Sequence, residues 1–96
     1  MSQVRERDIE TYLRDRVKAL GGRAYKFVSP GNAGVPDRLV LLPGARAVFV
    51  ELKAPGRRPT QLQVVQQQRI ATLGFDVRVV DSLEGVDELI REYEGR

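Results

Sequence analysis

The chain has 96 residues, of which 42% are hydrophobic and 30% charged, with a formal net charge of +3. This size and composition predict one domain spanning residues 1–96. The sequence contains no cysteine and no histidine, which excludes disulfides, thiol nucleophiles, imidazole bases and metal sites built from those residues. Any hydrolytic chemistry must therefore use carboxylates, lysine, hydroxyl groups or a metal ion. The small excess of basic residues is compatible with a polyanionic partner.

Motifs for membranes, secretion and nucleotides are absent from the sequence. No apolar run approaches the length of a membrane span, and the polar N-terminus shows no signal peptide. Neither the G-x-x-x-x-G-K-[ST] nor the G-x-G-x-x-G phosphate-binding motif occurs. These observations predict a cytoplasmic, intracellular protein without membrane contact and without a nucleotide cofactor.

The first predicted element is a helix from Ser2 to Leu20, with Ser2 as its N-cap and Gly21-Gly22 as its end. Glu6 and Glu10 are four residues apart and therefore share a face of this helix. Their spacing alone favours a solvated face on which both acids pair with neighbouring arginines. Apolar residues at helical spacing form the predicted buried stripe: Val4, Ile9, Tyr12, Leu13, Val17 and Leu20.

A short strand from Arg23 to Val28 and a loop from Ser29 to Gly34 come next. Lys26 lies in the middle of the strand and points either to water at a sheet edge or towards a phosphate-binding edge. The loop is either a flexible connection or a segment whose glycines let its backbone approach a phosphate. The residues alone leave both pairs of alternatives open.

Two apolar runs, Leu39–Leu42 and Ala47–Val50, predict a β-hairpin with its turn at Pro43–Arg46. Asp37 opens the first strand, and Glu51-Leu52-Lys53 ends the second. Antiparallel pairing therefore brings these residues to the same edge of the sheet. Because side chains alternate along a strand, Glu51 and Lys53 share one face.

Two carboxylates and one lysine at a single edge suit the cleavage of phosphodiesters. Carboxylate and carbonyl oxygens are the ligands of Mg²⁺, and a bound metal activates water and stabilises charge on phosphate. Lysine can position the attacking water. The alternative is structural: Asp37 would be a turn residue after Pro36, and Glu51 and Lys53 a same-face ion pair. The complete ordered string favours the chemical interpretation.

Arginines flank this predicted edge on both sides. Arg38 follows Asp37 and points to the opposite sheet face, so it is expected at an edge of the sheet as a DNA contact. Arg57 and Arg58 lie in a proline-flanked loop directly after the second strand. They either hold a phosphate backbone or are incidental charges on an exposed loop.

The last third of the chain predicts a helix, a strand and a helix. The first of these helices begins after Thr60 as N-cap and ends at Gly74. Its predicted buried positions are Leu62, Val65, Ile70 and Leu73, and its glutamines are expected to be solvated. A strand over Phe75–Val80 precedes the final helix, Leu83–Tyr93, which is capped by Asp81-Ser82. The inward positions of the final helix are Val86, Leu89 and Ile90, and its acids are expected on a solvated outer face.

The strings Gly34-Val35-Pro36-Asp37 and Glu51-Leu52-Lys53 resemble the motifs of the VRR-NUC family in the PD-(D/E)xK nuclease superfamily, in its stand-alone phage and bacterial type. The resemblance extends from Glu6 to about Leu83. It implies an α/β fold with a restriction-endonuclease-like core, in which elements in the order α-β-β-β-α-β-α form a mixed sheet flanked by helices. It also implies a metal-dependent endodeoxyribonuclease.

The resemblance further implies which residues bind metal. Asp37, Glu51 and the backbone carbonyl of Leu52, together with Glu6, would hold one or two Mg²⁺ or Mn²⁺ ions. Glu6 is preferred to Glu10 because it fits the E-x-x-I pattern of the family. Glu10 remains the alternative.

Lys53 would orient the attacking water. Gln63 matches the glutamine of a family motif at the start of the second long helix and would support Lys53 in this role. Five residues are expected to contact DNA: Lys26, Ser29, Arg38, Arg57 and Arg58.

The implied substrate is branched DNA, cut in the manner of a Holliday-junction resolvase by a homodimer that places two sites on two strands. One alternative is a non-catalytic nucleic-acid-binding domain that retains the nuclease fold. Another is a structural or interaction protein in which the motifs are coincidental. The presence of both acids and the lysine favours the nuclease.

Overall fold

The computed structural model describes residues 3–95. The four strands form one mixed sheet in the order β1-β2-β3-β4, in which β1, β2 and β3 are antiparallel and β4 runs parallel to β3. Both the predicted element order and the mixed sheet are confirmed. The elements are α1 (Glu6–Ala19), β1 (Arg23–Lys26), β2 (Arg38–Leu42), β3 (Arg46–Leu52), α2 (Gln61–Thr72), β4 (Asp76–Val80) and α3 (Leu83–Glu94).

Several element boundaries differ from the prediction. The predicted N-cap of α1, Ser2, lies outside the described residues. The helix begins at Glu6 with Arg5 as N-cap, where the Arg5 backbone N–H donates to the Asp8 carboxylate at 2.8 Å. An acid in the first turn also suits the helix dipole. β1 ends at Lys26, two residues earlier than predicted.

One face of the sheet packs against α1 and α3 and holds the hydrophobic core. Alternation along β2 and β3 turns Val40, Val48 and Val50 towards these helices. The predicted inward positions of α3 are confirmed. The core residues are Ile9, Leu13, Val17, Val40, Leu42, Val48, Val50, Leu52, Val80, Val86, Leu89, Ile90 and Tyr93.

The acids of α3 do not all lie on a solvated outer face, as the sequence suggested. Asp87 accepts a hydrogen bond from the Tyr12 hydroxyl at 2.6 Å and pairs with Arg16 of α1. Glu92 pairs with Arg78 of β4 at 2.6 Å. Asp87 is partly buried and Glu92 is exposed, and both acids join α3 to its neighbours.

The opposite face of the sheet carries α2, which packs beside β4. The predicted Thr60 N-cap is confirmed, since its hydroxyl accepts from the Gln63 N–H at 3.2 Å. The predicted buried positions are wrong for three apolar residues, Leu62, Val65 and Leu73, which are exposed. The buried residue of α2 is instead Gln66. Amphipathic spacing did not reveal this, because the side of α2 that meets the sheet and the preceding loop is largely polar.

Aromatic side chains fill part of this second face. Phe49 contacts both Phe27 and Phe75 edge to face, with ring centroids 5.5 and 5.9 Å apart. Between residues 3 and 95, no helix is both long enough and apolar enough to cross a membrane.

Candidate active site

The β2–β3 hairpin brings Asp37 to the C-terminal end of β3, as predicted. Arg38 pairs with Val50 in the register, so Asp37 lies beside Glu51. The Leu52 backbone N–H donates to the Asp37 carboxylate at 2.9 Å, and the Phe27 N–H donates to the Asp37 carbonyl at 2.8 Å. The backbone of three consecutive strands therefore fixes Asp37 at this edge.

Glu51 is the most deeply buried carboxylate of the site, with 1% of its surface exposed. Because Val50 and Leu52 face the core, Glu51 lies on the α2 side of the sheet. One of its oxygens, Oε2, lies 3.4 Å from the Lys53 ammonium. The other, Oε1, has no hydrogen-bond partner among the described residues.

The surroundings of Glu51 oppose its ionisation. Burial, followed by the charge of Asp37, raises the pKa of Glu51 to about 7, and the neighbouring Lys53 acts in the opposite direction. One cation therefore compensates two adjacent carboxylates only in part. A buried acceptor without a donor also destabilises the fold.

These features fit a hard divalent cation. Mg²⁺ is usually held by one or two carboxylates together with waters and substrate phosphates, and a buried carboxylate oxygen without a partner is a suitable ligand. Across residues 3–95 no group of three or more Asp, Glu, His or Cys side chains is arranged to hold a metal ion. The fit is therefore to a site with two carboxylates.

The structure does not bring the acids of α1 together with Asp37 and Glu51. Glu10 pairs with Arg38 at 2.7 Å. Glu6 is exposed and lines an open cleft of about 690 Å³ together with Ala54 and Pro55, which directly follow Lys53. This cleft includes neither Asp37 nor Glu51, so Glu6 stays a predicted ligand.

Arg38 has a role within the fold. Its side chain is only 12% exposed, and besides pairing with Glu10 it donates to the Ala24 carbonyl at 3.4 Å. Lys26 lies opposite Arg38 in the register and is exposed. Both residues therefore belong to the α1 side of the sheet, whereas the carboxylate pair faces the α2 side. The predicted contact between Arg38 and DNA stays a prediction.

Arg57 and Arg58 are exposed in the loop that follows Lys53. This loop contains a turn in which the Arg57 N–H donates to the Ala54 carbonyl at 3.0 Å, and the Gly56 N–H donates to Asp81 at 3.3 Å. These contacts hold the backbone of the loop that carries the two arginines directly after β3.

Ser29 has a local role in its loop. Its hydroxyl accepts a hydrogen bond from the Asn32 amide at 3.0 Å, and its carbonyl accepts from the Asn32 N–H at 3.0 Å. The predicted contact between Ser29 and DNA stays a prediction.

Gln63 and Gln66 of α2 make different contacts. The side-chain oxygen of Gln63 accepts from the Thr60 N–H at 2.8 Å, which completes a capping box. Gln66 donates to the carbonyl of Ala33, in the loop before Asp37, at 3.2 Å. Sequence reasoning selected Gln63 and missed Gln66.

No signal in the sequence identified Gln66, because only the structure shows which face of α2 is covered. The residues of α2 that are not exposed lie at positions i, i+3, i+4 and i+7, which is one helical face. They are Gln63, Gln66, Gln67 and Ile70.

No protein-family model matches this chain. A protein of Acyrthosiphon pisum secondary endosymbiont phage 1 named "Putative nuclease p44" is 52% identical over 82 residues, which cover 85% of this chain and 88% of that protein. A solved structure described as "VRR_NUC domain" is 37% identical, with a TM-score of 0.86 over 92% of this chain and 96% of the other. A second, described as "VRR_NUC domain protein", is 20% identical, with a TM-score of 0.72 over 98% and 91%, and supports the fold alone.

Proposed function

Because the chain belongs to the VRR-NUC family of nucleases, we propose that it is a metal-dependent endonuclease that hydrolyses phosphodiester bonds of DNA at Asp37, Glu51 and Lys53. The observation that carries this proposal is the Glu51 carboxylate, which is buried beside a second acid and has an oxygen without a partner. Lys53 offsets only part of the negative charge of the two carboxylates, and a bound metal ion would offset the rest.

Each residue of the site has a separate role in the proposal. Asp37, Glu51 and the carbonyl of Leu52 would hold Mg²⁺ or Mn²⁺, with Glu6 as an additional acid. When bound, the ion stabilises negative charge on the phosphate and lowers the pKa of water. Lys53, 3.4 Å from Glu51, holds the attacking water and offsets the charge that develops on the phosphate.

Gln63 would support the same water through its amide N–H groups, because its amide oxygen is engaged in the helix cap. DNA would approach along the loop after Lys53, where Arg57 and Arg58 are exposed and can contact phosphates through forked hydrogen bonds. Lys26 and Ser29 are proposed as outer contacts to the DNA backbone.

The proposed substrate is branched DNA, and the proposed active species is a homodimer. Apolar side chains remain exposed on the α2 side of the molecule: Tyr25, Leu41, Leu62, Val65, Leu73 and Phe75. Together they expose on the order of 500 Å² of mostly apolar surface, an amount that favours an interaction surface on this side. With a polar rim this approaches the area per partner of a standard interface. A two-fold axis would place two sites on two strands.

Cleavage of a labelled four-way junction, compared with a matched linear duplex, tests the activity. We expect paired cuts in the junction with Mg²⁺ or Mn²⁺ and none with a chelator. Lys53→Ala should reduce the rate by about 100-fold or more, since it removes stabilisation of the transition state, whereas the exposed Lys18→Ala control should keep it. Binding without cutting under every metal condition would instead indicate a DNA-binding domain that retains the nuclease fold.

Sedimentation equilibrium tests the dimer independently of cleavage. We expect the wild type to have twice the 10.8 kDa mass of the chain at micromolar concentration. Leu73→Glu should give the monomer mass, because it places a charge among these exposed apolar side chains. Thr11→Glu, which adds the same charge at an exposed position of α1, should remain dimeric. A monomeric wild type would disprove the homodimer.

A further inference from the structure

Gln66 is the one buried residue of α2 within the described chain, and it is polar. Only 8% of its surface is exposed. Its side-chain amide donates to the carbonyl oxygen of Ala33 at 3.2 Å. Ala33 lies four residues before Asp37, in the loop that leads into the site. The buried amide of α2 therefore contacts the segment that delivers the first catalytic carboxylate.

A second, independent contact joins α2 to the same loop. Gly34 has a φ of +92°, and a Cβ atom built there would lie 3.0 Å from the Leu62 side chain and 3.1 Å from the Leu62 carbonyl group. Glycine is needed both for the positive φ and for the close approach of the helix backbone. The loop thus rests directly on the first turn of α2.

The link from this loop to the carboxylate is short and stiff. Two residues, Val35 and the buried Pro36, separate Gly34 from Asp37. Proline fixes its own φ and restricts the residue before it. The Asp37 carboxylate also accepts from the Leu52 N–H. A shift of the loop would therefore change the position of the Asp37 carboxylate relative to Glu51.

We propose that Gln66 is a positioning residue that clamps the loop before Asp37 and thereby holds the Asp37 and Glu51 carboxylates in the arrangement that binds metal. This inference rests on the proposed function, because it assigns the two carboxylates to a metal. Supporting residues of this kind set metal affinity through the orientation of the ligands. Gln63 has a different contact, since its amide oxygen accepts from the Thr60 N–H in the cap of α2.

The first test compares Gln66→Met with Gln68→Met. Methionine keeps the length of the side chain and removes the amide donor, and Gln68 is an exposed glutamine of the same helix. We expect Gln66→Met to raise the Mg²⁺ concentration for half-maximal cleavage by about tenfold, with a smaller change in the rate at saturating Mg²⁺. Gln68→Met should match the wild type. A loss of stability alone would not shift the metal requirement of the molecules that remain folded.

The second test compares Gly34→Ala with Gly31→Ala. Both glycines have a positive φ and lie in the same loop, but a Cβ at Gly31 would meet nothing within 4 Å. Both variants therefore carry similar backbone strain, and only Gly34→Ala disturbs the contact with Leu62. We expect the Mg²⁺ requirement to rise more for Gly34→Ala. Equal shifts in both variants would contradict a role for the contact between α2 and the loop.

Amide hydrogen exchange of residues 32–35 and Asp37, measured without metal, separates the failure of this inference from the failure of the proposed function. Faster exchange in Gln66→Met than in Gln68→Met supports the clamp even if the wild type does not cleave DNA. If the wild type cleaves DNA with Mg²⁺ and the two methionine variants share the same Mg²⁺ requirement and exchange rates, Gln66 only fills space and the inference is wrong.

Discussion

The two faces of the sheet are built on different chemistry. The face towards α1 and α3 is covered by apolar side chains such as Leu13, Val48 and Ile90, which are almost completely buried. The face towards α2 has glutamines at the helix contact, two carboxylates at one edge and apolar side chains left in solvent. Leu73 of α2, for example, is 76% exposed.

This difference shows how a chain of 96 residues tolerates a destabilising site. The α1/α3 face supplies the apolar burial that drives folding. The α2 face can then carry the unfavourable charge of Glu51, because little of the core depends on it. Regions with few buried apolar contacts also open at lower free energy, so the loop and α2 need specific contacts such as that of Gln66 to stay in place.

The largest expected effect on stability lies on the α1/α3 face. Leu13 is fully buried between α1 and the sheet, so Leu13→Ala removes apolar contacts and leaves a cavity. We expect the free energy of unfolding, measured by urea titration, to fall by about 3 kcal/mol. That is a large share of the total for a domain of this size. A loss below about 1 kcal/mol, less than core truncations normally give, would show that the face repacks and is not the main source of stability.

A smaller effect, with the opposite sign, is expected for Glu51→Gln. Its pKa is raised from 4.5 to about 7 in the folded chain, mainly by burial. Below pH 4.5 the carboxyl is protonated in both states and has no effect. Between pH 4.5 and 7 the unfolded chain loses this proton while the folded chain retains it, so the wild type is progressively destabilised, and the penalty is complete above pH 7.

Glu51→Gln lacks this penalty. With chelator present, we expect it to be more stable than the wild type by about 1–3 kcal/mol at pH 8, and this difference should disappear near pH 4. Glu88→Gln, at an exposed position of α3, is the control and should show no such pH dependence. A difference between Glu51→Gln and the wild type that is equal at both pH values would contradict the raised pKa of Glu51.

Local sequence patterns were sufficient to predict the edge of the sheet that carries the carboxylates. Asp37, Glu51 and Lys53 follow from strand alternation and a short hairpin, both of which are set by neighbouring residues. Except for Val4, which precedes α1 and is exposed, the apolar stripes of α1 and α3 were likewise visible because each faces a continuous apolar surface. Both features could be predicted because the contacts that each element makes are of one kind along its length.

The features that the sequence did not predict depend on which elements pack against each other in the folded chain. Arg38 was expected at an edge of the sheet, but it pairs with Glu10 of α1, and only the packing of α1 on the sheet creates that partner. In α2 the rule that apolar residues face inward failed, because this helix meets a loop carbonyl at Ala33. A polar contact of that kind selects glutamine for the inner face and leaves Leu62 at the surface.

The smallest expected effect comes from the same truncation on the other face. Leu73→Ala shortens a side chain that is already largely in solvent, so little apolar burial is lost and no cavity forms. We expect the free energy of unfolding to change by less than about 0.5 kcal/mol, compared with about 3 kcal/mol for Leu13→Ala. The urea titration should use protein diluted until its midpoint no longer depends on concentration, so that self-association does not contribute. If Leu73→Ala lowered the free energy of unfolding as much as Leu13→Ala, the α2 face would be covered within the folded chain. Both faces would then contribute similarly to stability.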